Sequence, residues 1–378
     1  MSNNVIVLGN NHHNTLGLVR SLGRGGMDVT CLIVSEGLVN SFVGKSKYIK
    51  DFRLLPSFDS ALSYMKENIP HEEQIPVFTT SDAAAEYLDS HYDELCQHYL
   101  VNNCGRKQDG ISYWMNKEIM LSKAKECGLV VPSGFHFNTS SDLSTIPEEV
   151  VFPCIIKPQK SSLAGKDNFR ICNNREQLEV AIREVSVHCQ EVMIQEYIKR
   201  DYEVLVMGMR SITTKTTVIP GCLHKLRVCQ HTKSLGMFAY AYTTRAIDNA
   251  IEVESMKRFL DAIDYDGIFS MEFMIANEKA YFLEINLRND GTQFCFEGAG
   301  VNLPLLWIKA SKGKDITSDN KSLEKKFCMV EVNYLKNMDW HHPLAAVKEW
   351  WNTSLYALWD KKDWKPAFYK LKYAGKKM

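Results

Sequence analysis

The chain has 378 residues, of which 45% are hydrophobic and 24% charged. This mix excludes a disordered, collagen-like or fibrous chain, and the length implies two or three packed units. Forty-five basic residues balance forty-five acidic ones, so no overall field points to nucleic acid.

The first hundred residues alternate strand and helix. Val5-Ile6-Val7-Leu8 is a short apolar run ending at Gly9. A polar loop through Asn14 follows, and Leu16, Val19, Arg20 and Leu22 are at helical spacing up to Gly23. Met27 to Val34 reads as a second buried strand. Pro76-Val77-Phe78-Thr79 is a further strand, ending in Thr80-Ser81-Asp82, with Ser81 or Asp82 as the N-cap of an alanine-rich helix. This rhythm predicts a parallel sheet with helices on its faces. Ligands of such sheets bind beyond the carboxyl ends of strands, so the loops after Gly9 and Thr79 are candidate site edges. The Gly9 loop is no GxGxxG fingerprint. His12 and His13 are adjacent and would point apart on a regular backbone, which makes them poor joint metal ligands and at most substrate-loop residues.

A helix from Asn116 to Cys127 ends at Gly128, and a polar connector covers 140–149. From Val151 the pattern becomes that of an α+β unit. Beyond about Lys312 the chain is lysine-rich and then aromatic. Five of the seven tryptophans fall in its last 39 residues, with eight lysines against Glu349, Asp360 and Asp363. That composition fits either an interfacial segment at an anionic membrane or a segment packed on the core. The eleven cysteines are odd in number and form no CxxC pair, so free thiols in a reducing cytosol are expected. Met1 to Asn4 leads straight into the first strand, and no apolar run approaches the ~20 residues of a membrane span. A cytoplasmic protein without a signal peptide is the expectation.

The strongest chemical constellation is Met271-Glu272-Phe273-Met274-Ile275, a turn at Asn277-Glu278-Lys279, and the run Tyr281 to Arg288. It reads as an antiparallel hairpin. Glu284, Asn286 and Arg288 alternate on one face, and Glu272 can reach that face from the other strand. Two carboxylates and an amide oxygen suit Mg²⁺, and Arg288 could neutralise a phosphate. A solvated sheet face is the alternative. Upstream, a strand ends at Lys157 and is followed by Lys160, Ser161, Ser162 and Gly165, small residues beside lysines that could cover phosphates or form a surface turn. Next, Gln195-Glu196-Tyr197-Ile198 runs from a strand into a polar hinge that could hold a flat base. Glu203 could accept from ribose hydroxyls or lie on the surface. Lys225 and Arg227 alternate on one strand, either clamping a carboxylate or phosphate or facing solvent.

In this order the segments resemble the ATP-grasp superfamily from about Lys117 to Ala310. Asn289-Asp290-Gly291-Thr292 and the run 14–23 are similar to the carbamoyl-phosphate-synthase-like and D-aspartate-ligase-like branch. The resemblance implies a Rossmann-like pre-ATP-grasp domain over 1–105, a two-lobed ATP-grasp module over 106–312 (lobes 106–190 and 191–312), and an extension over 313–378. This makes the fold class α/β and α+β. It also implies that Lys117 and Lys157 bind the nucleotide phosphates and that residues 160–165 close over them. Gln195 to Ile198 would form the adenine hinge and Glu203 the ribose carboxylate. Glu272, Glu284 and Asn286 would hold two Mg²⁺ ions, with Mn²⁺ as a substitute, and Arg288, Lys225 and Arg227 would serve the reacting groups. The implied activity is an ATP-dependent carboxylate–amine ligase that forms an amide through an acyl phosphate. The alternatives are phosphorylation of bicarbonate or carbamate and an ATP-binding regulatory protein without turnover. The implied partners are a small carboxylate and a small amine, a second copy in a homodimer, and a membrane surface at the C-terminal segment, with no nucleic acid.

Overall fold

A computed structural model describes residues 3–37, 40–68, 73–158, 170–228, 239–319, 321–338, 341 and 343–373. The N-terminal unit is a parallel sheet of β1 (Asn4–Gly9), β2 (Asp28–Val34), β3 (Ile49–Leu55), β4 (Ile75–Thr79) and β5 (Tyr99–Val101), in the order β3-β2-β1-β4-β5. The unbroken apolar runs of β1 and β4 follow from burial on both faces, as crossover helices require. The chain leaves β1 toward β2 on one side, and β4 lies on the other. The strand order therefore reverses between β1 and β4, and their carboxyl ends open the crevice where such sheets bind ligands. The helix His13–Arg24 starts there, as does the helix Asp82–Asp89, capped by the Ser81 side chain.

Strand β6 (Asn103–Cys104) leads into the second unit. A small antiparallel sheet holds β7 (Gly134–Asn138), β8 (Cys154–Pro158), β9 (Arg170–Cys172) and β10 (Glu191–Glu196), in the order β7-β10-β8-β9. The helix Arg175–Ser186 buries Leu178, Ala181, Ile182 and Val185, an i, i+3, i+4, i+7 stripe, against it.

The large sheet contains β11 (Tyr202–Ser211), β12 (Thr216–Val218), β13 (Cys222–Val228), β14 (Ala239–Arg245), β15 (Tyr265–Ala276), β16 (Lys279–Asn286), β17 (Phe327–Met329) and β18 (Leu355–Tyr356). Its order is β16-β15-β11-β13-β14-β17-β18, with β12 on β11 and β6 on β15. β15 and β16 form the expected hairpin. Its turn is tighter than expected: Asn277 and Glu278 alone make it, with φ of 48° and 61°, and Lys279 already belongs to β16. Two left-handed central residues match the twist of the paired strands.

The 313–378 segment supplies β17 and β18 to this sheet and buries Ala357, Leu358 and Ala367 in the core shared with the N-terminal unit. Arg20, on the helix His13–Arg24, pairs with Asp363 at 2.9 Å, with the two side chains 4% and 1% exposed. Among the described residues, no helix is long and apolar enough to cross a membrane.

Candidate active site

The β15–β16 hairpin and the β1/β4 crevice face each other across a cavity of about 1060 Å³. One wall carries Glu272, Glu284, Asn286, Arg288 and Asp290, with Lys117 and Lys225 beside them. The other carries Asn10, His12, His13 and Asn14 from the loop after β1, and Thr80, Ser81 and Asp82 from the loop after β4. The interdomain seam is polar. Asn14 Nδ2 donates to the carbonyls of Thr80 at 2.9 Å and Asn289 at 3.1 Å, Asn289 Nδ2 donates back to Asn14 Oδ1, and the Asn289 N–H donates to the Thr79 carbonyl at 3.2 Å.

Glu272 and Glu284 are directly opposed across the hairpin, where a bulge follows Glu272. Lys225 Nζ donates to Glu272 at 2.7 Å and to Glu203 at 2.9 Å. Burial works against this ammonium, but Glu272 and Glu203 outweigh it, so its pKa is raised. Lys117 Nζ lies 3.9 Å from Glu284. Lys117 opens its helix directly after Asn116, whose side chain caps the Glu118 and Ile119 N–H groups. Asn286 Nδ2 donates to Ser270 Oγ at 3.3 Å, while its Oδ1 accepts from Arg288. The oxygen set is two carboxylates and one amide on paired strands, each carboxylate already matched by a lysine. That chemistry fits a hard divalent cation such as Mg²⁺.

Lys157 is the next-to-last residue of β8, outside the lining of the cavity. Burial and the like charge of Lys117 pull its pKa down to about 8, against the pull of Glu284. The hinge is bound internally: the Glu196 N–H donates to the Ser133 carbonyl at 2.7 Å and the Tyr197 N–H to the Pro153 carbonyl at 2.9 Å. Gln195 Nε2 donates to the Pro132 carbonyl at 3.3 Å, and Glu196 Oε2 accepts from Ser133 Oγ at 3.1 Å. The buried Ile198 N–H has no partner among the described residues. Glu203 is buried, between Arg200 at 2.8 Å and Lys225. Lys160, Ser161, Ser162 and Gly165 lie outside the described residues.

Two sequence expectations change. Lys225 and Arg227 do not share a face, because the ladder with β14 is irregular between them. Lys225 turns into the cavity, whereas Arg227 goes out to Glu349, with Nε at 3.0 Å from its carboxylate. The histidines do not point apart either. His12 has an extended backbone and is the N-cap, and His13 is the first helical residue, so the backbone is not regular across them. Their ring centroids come to 3.9 Å, and both rings line the cavity. Burial, then Lys370 and Arg288 against Asp290, lowers the His12 pKa to about 4. Burial, His12 and Lys370 hold that of His13 well below its usual value. Both are neutral near pH 7.

The loop after β4 puts Asp82 on a site edge, but its grip on Arg288 (Nε to Oδ1, 2.6 Å) carries no local signal, since the two are 206 positions apart. Asp290 lines the cavity too, and the charge of Lys370 bears on His12 and His13.

Residues 122–295 match the family model of the ATP-grasp domain. The matched segment follows the parallel-sheet unit in the chain. A formate-dependent phosphoribosylglycinamide formyltransferase of Sulfurovum sp. (strain NBC37-1) is 27% identical over 191 residues, covering 49% of this chain and 47% of that one. The C-terminal section of the carbamoyl phosphate synthase large chain of Aquifex aeolicus is 22% identical over 228 residues, covering 57% of this chain and 40% of that one. The chain spans about half the length of these curated relatives or less. Among solved structures, N5-carboxyaminoimidazole synthetase from Staphylococcus aureus complexed with ADP aligns with a TM-score of 0.65 at 16% identity, covering 90% of this chain and 86% of that one. L-amino acid ligase from Bacillus licheniformis aligns at 0.63 and 17%, covering 86% and 79%. These likenesses show the fold.

Proposed function

We propose that the protein is an ATP-dependent carboxylate–amine ligase that works through an acyl phosphate and releases ADP and phosphate. The observation that carries this reading is the meeting of Glu272, Glu284 and Asn286 with Lys117, Lys225 and Arg288 on one wall of a cavity whose other wall is the crevice of a parallel sheet. Phosphate-binding and acceptor-binding surfaces thus face each other.

In this reading the Ile198 N–H reads the adenine edge and Glu203 accepts from the ribose. Lys117 and Lys157 meet the phosphates, under a loop that includes Lys160, Ser161, Ser162 and Gly165. A carboxylate oxygen of the first substrate attacks the γ-phosphorus, the bond to the β-phosphate oxygen breaks, and ADP leaves. The amine nitrogen then attacks the acyl carbon, and phosphate departs with the electron pair of the broken C–O bond and takes up the proton that the amine nitrogen loses. Arg288 and Lys225 stabilise the charge that grows on the transferred group and on the acyl oxygen. Glu272, Glu284 and Asn286 would hold a pair of Mg²⁺ ions, or Mn²⁺ in their place, which neutralise phosphate charge when bound. A homodimer and a membrane contact of the C-terminal segment complete the proposal.

The likeness to the carbamoyl phosphate synthase section favours a second reading, phosphorylation of bicarbonate or carbamate. A screen of ADP release separates the two. The ligase reading requires release that depends on an amine together with a carboxylate, whereas release with bicarbonate alone would favour the second.

A further inference from the structure

The C-terminal segment turns one side to the core and leaves an aromatic side in water. In the helix Lys365–Lys372, Pro366 and Ala367 are buried. Trp364, Phe368 and Leu371, spaced i, i+4 and i+7, form the outward stripe and are 46%, 58% and 66% exposed. The Trp364 and Phe368 rings pack edge to face with centroids 5.9 Å apart, and Trp359, one turn earlier in the chain, is 53% exposed. Isolated exposed apolar residues are ordinary, but a stripe of them is not.

The backbone beneath this stripe is fixed. Asp363, just before Trp364, accepts from Arg20, from Ser46 Oγ at 2.7 Å and from the Lys47 N–H at 2.9 Å. Glu331 holds the N–H groups of Leu358 and Trp359. The aromatic rings are therefore presented outward on a rigid platform, so burying them would order little further chain.

The charge around the stripe has one sign. Lys361, Lys362, Lys365 and Lys372 are exposed, while the two nearby carboxylates, Asp360 and Asp363, are paired with Arg24 and Arg20. A second copy placed on this face would set like charges against each other. Leu344, Val347 and Trp351 make another exposed stripe on the helix Pro343–Asn352, but only Lys348 accompanies it there, so it lacks the basic rim.

We propose that this aromatic face docks on an anionic lipid bilayer, with the rings in the interfacial layer and the four lysines against the headgroups. The inner face of the same helix packs on the N-terminal unit, where Ala367 joins the shared core. Lys370 lies over the Phe42 ring at 4.2 Å, and its charge bears on His12 and His13. Docking therefore holds the β1-loop side of the cavity close to the membrane surface.

The test is cosedimentation of the full chain with vesicles of phosphatidylcholine, with and without phosphatidylserine. The protein should pellet only with the anionic vesicles, and less as salt rises. The double variant Trp364→Ser, Phe368→Ser should weaken binding roughly tenfold or more. Changing Lys361, Lys362 and Lys365 to Gln should weaken it by about fivefold per lysine. Both variants should keep the circular dichroism spectrum and basal ADP release. Absence of binding to anionic vesicles, or unchanged binding by both variants, would overturn the proposal. So would a dimer in sedimentation equilibrium that Trp364→Ser, Phe368→Ser dissolves, because the face would then join two copies.

Discussion

Arg288 Nε donates to Asp82 Oδ1 at 2.6 Å and ties the end of β16 to the first turn of a helix in the other domain. Its remaining nitrogens donate to the Asn289 carbonyl and to Asn286 Oδ1, both at 3.0 Å. Burial works against the charge, but Asp82 more than offsets it and the pKa is raised. The guanidinium is thus held as a fork at a fixed angle over the cavity. Arg288→Lys keeps the charge and loses the fork. ATP affinity should change by less than about threefold, while ADP release with carboxylate and amine falls roughly a hundredfold. Calorimetry and a coupled ADP assay measure the two separately, and a near-normal turnover would remove Arg288 from the chemistry.

The Arg20–Asp363 pair should dominate attachment of the C-terminal segment. Besides the carboxylate, Arg20 donates to the carbonyls of Ala357, Leu358 and Asp363. Asp363→Ala leaves a buried guanidinium without its counter-charge, at a cost of about 3–5 kcal/mol. The urea midpoint should drop accordingly. The double change Arg20→Met, Asp363→Leu should lose clearly less than the two single changes added together.

His12 makes the fold acid-sensitive. Its folded pKa is about 4, lowered from 6.5 chiefly by burial. Below pH 6.5 the unfolded chain takes up a proton that the folded chain refuses. The stabilisation is therefore complete above pH 6.5 and lost as pH falls toward 4. His13 shifts in the same direction. Urea unfolding of His12→Asn at pH 7 and pH 4.5 should show a flatter dependence than wild type, and equal slopes would contradict the assignment.

Lys157 titrates at about 8 in the folded chain, so its charge is mostly present at pH 7 and mostly gone at pH 9. If it meets the nucleotide phosphates, ATP affinity falls over that range, and binding at pH 8.5 takes up a proton. Lys157→Ala should cost about 1.5–3 kcal/mol of binding at pH 7 and abolish the proton uptake. Calorimetry in buffers of different ionisation enthalpy reads both, and unchanged uptake would exclude Lys157 from the phosphates.

What was legible in the sequence was periodic or local. The alternation of Glu284 with Asn286, flanked by apolar residues, announced a paired strand, and Ser81 announced a helix start after a buried run. The reversal between β1 and β4 put both suspected loops at one crevice. What was not legible depends on backbone irregularity or on distance along the chain. The irregular pairing that separates Lys225 from Arg227 has no sequence signature. The approach of His12 to His13 depends on a change of backbone conformation between neighbours. Arg20 meets Asp363 across 343 positions, a contact that only the packed domains create.

Glu284 offers the most direct test of the ligase reading. It faces Glu272 across the hairpin and Lys117 across the cavity wall, and in the proposed site it is an anionic ligand to the divalent ions. Glu284→Gln preserves shape and removes that charge. In the proposed site the hinge at 195–198 and the lysines would still receive ATP, so the fold by circular dichroism should be unchanged and ATP binding should fall by less than about tenfold. ADP release with saturating carboxylate and amine should fall by about 10³-fold or more, because the lost ligand acts on charge that develops only during phosphoryl transfer. ADP release within a few-fold of wild type would contradict the assignment of the metal site, and the proposed chemistry with it.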